Sequence, residues 1–328
     1  MPVSTRAAER KKSNSARFFD VYGSLLTFVL MIVVFSILSP YFRTGENYIN
    51  LLIQSMPLLL LAIGVSFVNL AGETDLSMGG VVGLCASLFC GFIARGHSIG
   101  AAAAVSLGAA AGFGLLNGAL VAVAGLSSFI VTISTMFLGQ GLEYAYSAGI
   151  SLWVRDHPVM KIVNNRVGPV PLFVIVSLGV FVLVYFIVHQ TKTGLHIQSV
   201  GLSQDAARFA GIKVRIIKLV MFVLGSLFYA LGGIINALRS SGSIIYSGQR
   251  LLLPALAITF IAKTILGTKR ANVPGLLIGA LMLSSVSTAF TLMRIEFYYS
   301  LIAQGAILIL AAILSVGDRS VILQEDLR

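Results

Sequence analysis

Charged side chains are scarce in this sequence, making up 11% of its 328 residues while 57% are hydrophobic. Soluble domains carry about a quarter charged residues, so a soluble globular fold is excluded. The mean hydropathy of +0.94 agrees with that exclusion. Apolar runs of about 20 residues recur along the whole chain, and that length spans a bilayer core. The composition therefore predicts a polytopic membrane protein of the helical kind.

Cysteine is also rare, with Cys85 and Cys90 as its two occurrences. Both lie in one apolar run, and a spacing of five separates them by about 140° around a helix. Neither a disulfide nor a metal-ligand pair is expected from that geometry. We interpret both as small apolar fillers of a packed helix.

Two further absences bear on the source of energy. The sequence has no G-x-x-x-x-G-K-[ST] loop, so this chain cannot itself cradle the phosphates of ATP. The apolar runs also contain no continuous series of Asp, Glu, His or Lys, which counts against a proton- or sodium-coupled carrier. The polar residues at membrane depth are few: Asn117, Glu143 and Gln304.

The apolar runs predict an all-α bundle of about ten transmembrane helices with both termini on one side. A basic tail, 1–19, precedes the membrane domain 20–316, and a short tail, 317–328, follows it. The predicted spans are roughly 20–39, 50–71, 77–94, 98–123, 127–148, 170–188, 215–238, 251–266, 273–293 and 297–316.

We interpret the net charge of +11 as a sign of how the chain is oriented in the membrane, and not as a sign of nucleic-acid binding. With the N-terminus inside, roughly two thirds of the lysine and arginine residues fall on the inner side, as the positive-inside rule requires. The loop 189–214 is then cytoplasmic, and the segment 149–169 faces outward. Trp153 in that outer segment suits an interfacial anchor.

A short internal match suggests a repeat. Gly114-Leu115-Leu116-Asn117-Gly118-Ala119-Leu120 in the fourth span resembles Gly275-Leu276-Leu277-Ile278-Gly279-Ala280-Leu281 in the ninth. An offset of five spans inverts one copy relative to the other, as in many transporters. The match therefore predicts an inverted 5+5 repeat.

The stretch Thr191–Val214 is the longest polar segment between two apolar runs. Ser203 is placed to cap a short helix, Asp205 suits its first turn, and Gly211 supplies a stop. Two interpretations stay open: a helix that docks into a groove on a partner, or a solvated connector. The small apolar face of the predicted helix comprises Ala206, Ala207, Phe209 and Ala210.

A second polar stretch, Asn69 to Gly80, separates the second span from the third. Glu73 and Asp75 stand between flanking glycines, and carboxylates at such a break must face water, protein or a cavity. Asp75 and Ser77 suit capping of the third helix. We favour capping over direct contact with a substrate or an ion.

Several of these stretches resemble the permease subunit of ABC importers of the ribose/galactose class, over roughly 20–316. Thr74-Asp75-Leu76-Ser77-Met78-Gly79 resembles the family's G-x-D-L-S-x-G, and Ser128–Met136 resembles its F-I-x-T-L-x-T/M-M. Gly139-Gln140-Gly141 stands at its R-G turn. The stretch from Thr193-Gly194 to Val214 resembles its cytoplasmic motif, with Ala206, Ala207, Gly211 and Ile212 aligned.

Two departures from the family pattern concern the substrate class. Glu73-Thr74 stands where the family often has Gly-Ile, which adds a negative charge. The segment Ala262–Arg270 stands where the family often has a glycine-rich G-G-T-S-L-x-G-G run.

The resemblance implies a multi-pass protein of the bacterial inner membrane that pairs with an identical or paralogous permease. Separate ATPase subunits would bind ATP and Mg²⁺, an extracytoplasmic binding protein would deliver the solute, and this chain would bind no cofactor. The helix 203–211 would couple the ATPase to the membrane helices. The candidate residues of the path or of the helix break are Asn69, Glu73, Asp75, Ser77, Phe129 and Glu143.

Two other functions stay open beside the importer. An ion-coupled secondary transporter would move solute as purified protein under an ion gradient, whereas an importer permease would not work without its ATPase. A membrane scaffold that moves nothing would tolerate substitutions in 203–211 without any effect on uptake.

Overall fold

The computed structural model describes residues 14–155, 157–161, 165–265 and 272–316. Most of the predicted N-terminal tail and all of the C-terminal tail lie outside the described residues. The departure Ala262–Arg270 lies outside them from residue 266 onward. Helix α1 begins at Asn14, so the predicted tail 1–19 becomes helical before its end.

A helix occupies each predicted apolar segment, and two further helices lie in the loop 189–214. The helices are α1 Asn14–Leu38, α2 Gly45–Leu70, α3 Met78–Ala94, α4 Ile99–Gly118, α5 Ser128–Ser147, α6 Leu172–Gln190, α7 Lys192–Leu202, α8 Gln204–Phe209, α9 Val214–Arg239, α10 Ser247–Thr264, α11 Val273–Leu292 and α12 Phe297–Val316. Helix α4 continues into the π-helical turn Ala119–Val123.

Side-chain caps explain where several of these helices begin. The Thr44 and Ser98 hydroxyls accept backbone N–H groups in the first turns of α2 and α4. At α11, the Asn272 carbonyl accepts the Gly275 N–H at 2.6 Å, and Pro274 occupies a first-turn position that needs no donor.

Among the described residues, five helices are long and apolar enough to cross a membrane: Gly45–Leu70, Ile99–Val123, Leu172–Gln190, Val214–Arg239 and Val273–Leu292. Shorter apolar helices cover Leu25–Leu38, Met78–Ala94 and Tyr298–Ala311. The prediction of a polytopic helical membrane protein is confirmed.

Helices α2 and α9 form the centre of the bundle and approach each other closely. A Cβ atom at Gly64 of α2 would lie 2.7 Å from the Gly225 carbonyl oxygen and 2.6 Å from the Tyr229 ring. Helix α9 also packs on α3 and α4, while α2 packs on α10 and α11. Small residues permit such contacts where lipid provides no hydrophobic drive to association.

The outer helices repeat one arrangement in the two halves of the chain. Helix α3 packs on α4 and α5, and α10 packs on α11 and α12 in the same way. Helix α4 packs on α9, as α11 packs on α2. Each of these contacts therefore has a counterpart in the other half of the chain.

The seven-residue sequence match does not follow this arrangement. Gly114 lies late in α4 and packs against Val223 of α9, whereas Gly275 lies in the first turn of α11 and packs against Ala262 of α10. The two copies occupy different turns of their helices. Their similarity reflects the need for small residues at helix contacts and does not mark equivalent positions.

Two short antiparallel ladders interrupt the helical fold within the described residues. Strand β1 (Leu152–Trp153) pairs with β4 (Gly242–Ser243), which places Leu152 opposite Ser243. Strand β2 (Arg166–Val167) pairs with β3 (Val170–Pro171). The first ladder fastens the segment after α5 to the turn after α9.

Candidate functional site

Asp75 is fully buried in the break between α2 and α3. Its Oδ1 accepts the Ser77 backbone N–H at 2.8 Å and the Ser77 hydroxyl at 2.6 Å. Its Oδ2 accepts the Tyr229 hydroxyl of α9 at 3.2 Å. The carboxylate thus holds the turn before α3, the arrangement that the sequence favoured, whereas the Ser77 side chain makes no cap bond because its hydroxyl donates to Asp75.

The Asp75 network continues into two more helices. The Asn117 amide of α4 donates to the Ser77 hydroxyl at 3.0 Å, and the Thr135 hydroxyl of α5 donates to the Asn117 carbonyl at 2.8 Å. All of these side chains are buried. A buried polar network with its partners in place rigidifies the surrounding packing, so this one fixes α3, α4, α5 and α9 around the break.

Glu73 forms an ion pair with Lys218, which lies near the start of α9. Their side chains are 13% and 10% exposed, so water screens the pair poorly. The negative charge that departs from the family pattern therefore has a matching positive charge in this chain. Lys218 lies 145 residues after Glu73, so no spacing rule in the sequence links the two residues.

The remaining candidates of this group lie outside the Asp75 network. Asn69 is half-buried at the end of α2 and contributes its carbonyl to the turn, where it accepts the Gly72 N–H. Phe129 is 55% exposed in the first turn of α5, so it points away from the network.

Glu143 belongs to a second site, at the turn between α9 and α10. It is fully buried on α5, and its Oε1 accepts the Tyr246 backbone N–H at 3.1 Å. The Ser87 hydroxyl lies 3.5 Å from the same oxygen and 2.9 Å from the Ser243 hydroxyl. Glu143 lies against the middle of α3, beside Gly83 and Ser87, whereas Asp75 precedes the first turn of that helix.

The loop 189–214 contains two helices, α7 and α8, where the sequence predicted one. The Ser203 hydroxyl caps α8 by accepting the Ala206 N–H at 3.2 Å, and Gly211 follows the helix at a φ of +79°. Asp205 forms an exposed ion pair with Arg208 at 3.3 Å. The predicted cap and stop thus lie at the ends of this helix.

Three residues of the predicted apolar face of α8 are exposed, and one is buried against the protein. Phe209 is 93% exposed, and Ala206 and Ala210 are exposed beside it. Ala207 is only 3% exposed, because it packs against Val200 of α7 and Val214 of α9. Its inclusion in a free docking face was wrong, since a helix of six residues does not reveal which side faces the protein.

Helix α7 lies directly against the α2–α3 break. A Cβ atom at Gly201 would clash with the Leu70 carbonyl oxygen, and one at Gly72 would stand 3.3 Å from the Gly201 Cα. Backbone thus touches backbone between α7 and the segment that carries Glu73 and Asp75. A displacement of α7 must displace that segment, because no side chain separates them.

Residues 47–312 match the family model described as the branched-chain amino acid transport system / permease component. The match covers well over half of the chain. The chain belongs to this permease family. It is thus a transport subunit of an ABC importer and not an enzyme, since ATP hydrolysis in such importers is carried out by a separate chain.

Curated relatives of this permease align over nearly its whole length. The D-allose transport system permease protein AlsC of Escherichia coli (strain K12) is 27% identical over 316 residues, covering 95% of this chain and 96% of the relative. The ribose import permease protein RbsC of Bacillus subtilis (strain 168) is 28% identical over 308 residues, 93% and 96% of the two chains. The L-arabinose ABC transporter permease protein AraH of Azospirillum brasilense is 26% identical over 312 residues, 95% and 92%.

No solved structure matches this permease. The family match and the apolar helices confirm the predicted location in the bacterial inner membrane. Sequence reasoning named Asp75, Ser77 and Asn117 but missed Thr135, Tyr229, Lys218 and Gly201. Each missed residue makes its contact across a long sequence separation, and a single sequence carries no signal of such contacts.

Proposed function

We propose that this permease carries a sugar or a sugar-like solute into the cell. The support is that relatives named for D-allose, ribose and L-arabinose align with nearly all of the chain. An extracytoplasmic binding protein delivers the solute, and the path lies between this chain and a second permease subunit, identical or paralogous. ATP and Mg²⁺ are bound by the partner ATPase, and this chain binds neither.

The proposal includes ten membrane spans arranged as an inverted 5+5 repeat, with both termini in the cytoplasm. Contacts that recur five segments apart support this arrangement, since α4 packs on α9 as α11 packs on α2. The segments are α1 to α6 and α9 to α12. Helices α7 and α8 then lie at the cytoplasmic surface, where an ATPase can reach them.

The close contact of Gly201 with Leu70 and Gly72 is the observation that carries the coupling mechanism. The ATPase docks on the exposed side of α8, around Phe209, and its closure moves α7 and α8 together. Helix α7 then moves the break that holds Asp75, and the Asp75 network passes that movement to α4, α5 and α9. The permease shifts between inward- and outward-open states in this way.

Reconstituted transport tests the proposal directly. Proteoliposomes that contain this permease, its ATPase and the binding protein are expected to take up labelled D-allose, D-ribose or L-arabinose when ATP is supplied. Vesicles without the ATPase are expected to take up none of the three, even under a proton or sodium gradient. Uptake without the ATPase would instead establish a secondary transporter, and a complete system inactive toward all three sugars would contradict the sugar assignment.

The substitution Gly201→Ala tests the coupling step. An added Cβ must push α7 away from the Leu70 carbonyl, so uptake per ATP hydrolysed is expected to fall several-fold while the ATPase still co-purifies. Gly179→Ala is the matched control, because nothing lies within 4 Å of a Cβ at that helical glycine. Equal uptake per ATP in both variants would refute the transmission through α7.

A further inference from the structure

The turn between α9 and α10 is fastened to the segment that follows α5. Strand β4 pairs with β1, the Val154 N–H donates to the Ser241 carbonyl at 3.0 Å, and the Ile245 N–H donates to the Ser151 hydroxyl at 3.4 Å. Residues 151–154 and 241–245 therefore move as one unit. The proposed topology places this unit on the outer side of the membrane.

The outer end of this unit is accessible. The Arg155 guanidinium stacks over the Trp153 ring at 4.3 Å, and Trp153 remains 47% exposed. Beside them opens a cavity of about 490 Å³. Its lining comprises Ala94, Trp153, Val154, Arg155, His157 and Pro158.

The residue that follows the unit, Tyr246, is hydrogen-bonded to the Glu143 carboxylate. Tyr246 has a φ of +56°, a conformation that a bulky residue seldom adopts without support. Glu143 supplies that support by accepting the Tyr246 N–H at 3.1 Å, and the Ser87–Ser243 hydroxyl pair lies beside the carboxylate. A Cβ atom at Gly83 would clash with Glu143 Oε2, so glycine at that position leaves room for the acid.

We propose that Glu143 is a positioning residue that transmits docking of the binding protein to helices α5 and α10, where the docking surface is formed by Trp153, Arg155 and His157. This inference rests on the importer function proposed above. Glu143 lies on α5, and Tyr246 immediately precedes α10. A displacement of the β1–β4 unit must therefore either carry α5 with it or break the bond between Glu143 and the Tyr246 N–H.

Two substitutions separate the acceptor from the bulk of the side chain. Glu143→Gln keeps an oxygen that accepts the Tyr246 N–H, whereas Glu143→Met fills similar space without an acceptor. Ser147→Ala is the control, because Ser147 is buried one turn further along the same face of α5, and its hydroxyl has no hydrogen-bond partner among the described residues. The assay is ATP hydrolysis by the reconstituted importer, with and without its binding protein saturated with D-ribose, D-allose or L-arabinose.

Glu143→Met is expected to assemble with the ATPase and to lose stimulation by the loaded binding protein about fivefold, the factor that one hydrogen bond supplies. Glu143→Gln and Ser147→Ala are expected to be stimulated like the wild type. Full stimulation of Glu143→Met, or equal loss in any of the other two, overturns the inference while leaving the importer function intact. Absence of stimulation in the wild type overturns both.

A second variant tests the inference if the Glu143→Met protein does not accumulate in the membrane. The double substitution Ser87→Ala/Ser243→Ala removes the hydroxyl pair beside the carboxylate and leaves the carboxylate and the Tyr246 N–H in place. Partial loss of stimulation by the binding protein, with unchanged hydrolysis in its absence, is expected. Unchanged stimulation in this double variant also overturns the inference.

Discussion

The Glu73–Lys218 ion pair gives the sharpest energetic prediction. Both side chains are about nine-tenths buried, so removal of one partner leaves the other as an unpaired charge in poorly solvated surroundings. Breaking a buried pair in this way costs about 3 kcal/mol or more. Glu73→Gln and Lys218→Met are therefore each expected to lower the free energy of unfolding by about 3 kcal/mol.

The double variant Glu73→Gln/Lys218→Met is expected to behave differently. It contains neither charge, so the penalty of an unpaired charge disappears, and replacing both partners of a buried pair is often close to neutral. Its free energy of unfolding is expected to lie within about 1 kcal/mol of the wild type. The two single effects should thus be strongly non-additive.

Unfolding of the purified permease in mixed micelles, titrated with a denaturing detergent, measures these free energies. The exposed pair Asp205–Arg208 provides the control, since its side chains are 82% and 59% exposed. Asp205→Asn and Arg208→Gln are each expected to change stability by less than about 0.5 kcal/mol. If the Glu73 and Lys218 effects simply add, or match those of the exposed pair, the pair does not fix the break to α9.

Two further predictions address the break and the ATPase surface. Asp75→Asn keeps an oxygen that accepts the Ser77 N–H, so it is expected to lower the free energy of unfolding of the permease by only about 1 kcal/mol. The KM of uptake is expected to stay unchanged. A raised KM with normal stability would place Asp75 in the solute path. Phe209→Asp alters a side chain that is 93% exposed, so the free energy of unfolding of the permease is expected to change by less than about 0.5 kcal/mol. Co-purification of the ATPase is expected to fall. Intact co-purification with full stimulation of ATP hydrolysis would contradict the docking role of Phe209.

The sequence predicted the positions of the helices well because they coincide with apolar runs, and five of the described helices are long and apolar enough to cross a bilayer. Helix α7 was missed because its polar residues and two glycines resemble a loop, and its position depends on the backbone contact of Gly201 with Leu70. The burial of Ala207 was missed for a similar reason, because it also depends on a tertiary contact. A contact with α7 and α9 decides it, and a six-residue helix has no periodicity that would reveal it.

The sequence predicted only those residues of the candidate site that lie close together in the chain. Asp75 and Ser77 lie two residues apart, so a capping rule identifies them together. Tyr229 and Lys218 reach the same break from α9, more than a hundred residues later in the chain. Glu143 was grouped with Asp75 because both are acids within apolar surroundings, yet the fold uses them at different turns.

Helix α3 connects these two turns. Ser77 precedes its first residue and belongs to the Asp75 network, while Ser87 lies ten residues further on and contacts Glu143, a separation of about 15 Å along a helix. Nearly every residue of α3 is buried, so it has little freedom to bend or to rotate independently of its neighbours. A packed helix held by a carboxylate near each of these turns moves as a rigid body. The break that contacts Gly201 precedes α3, and the β1–β4 ladder packs against the same helix and reaches Ser87 through Ser243. In the proposed mechanism, both contacts therefore act on one helix.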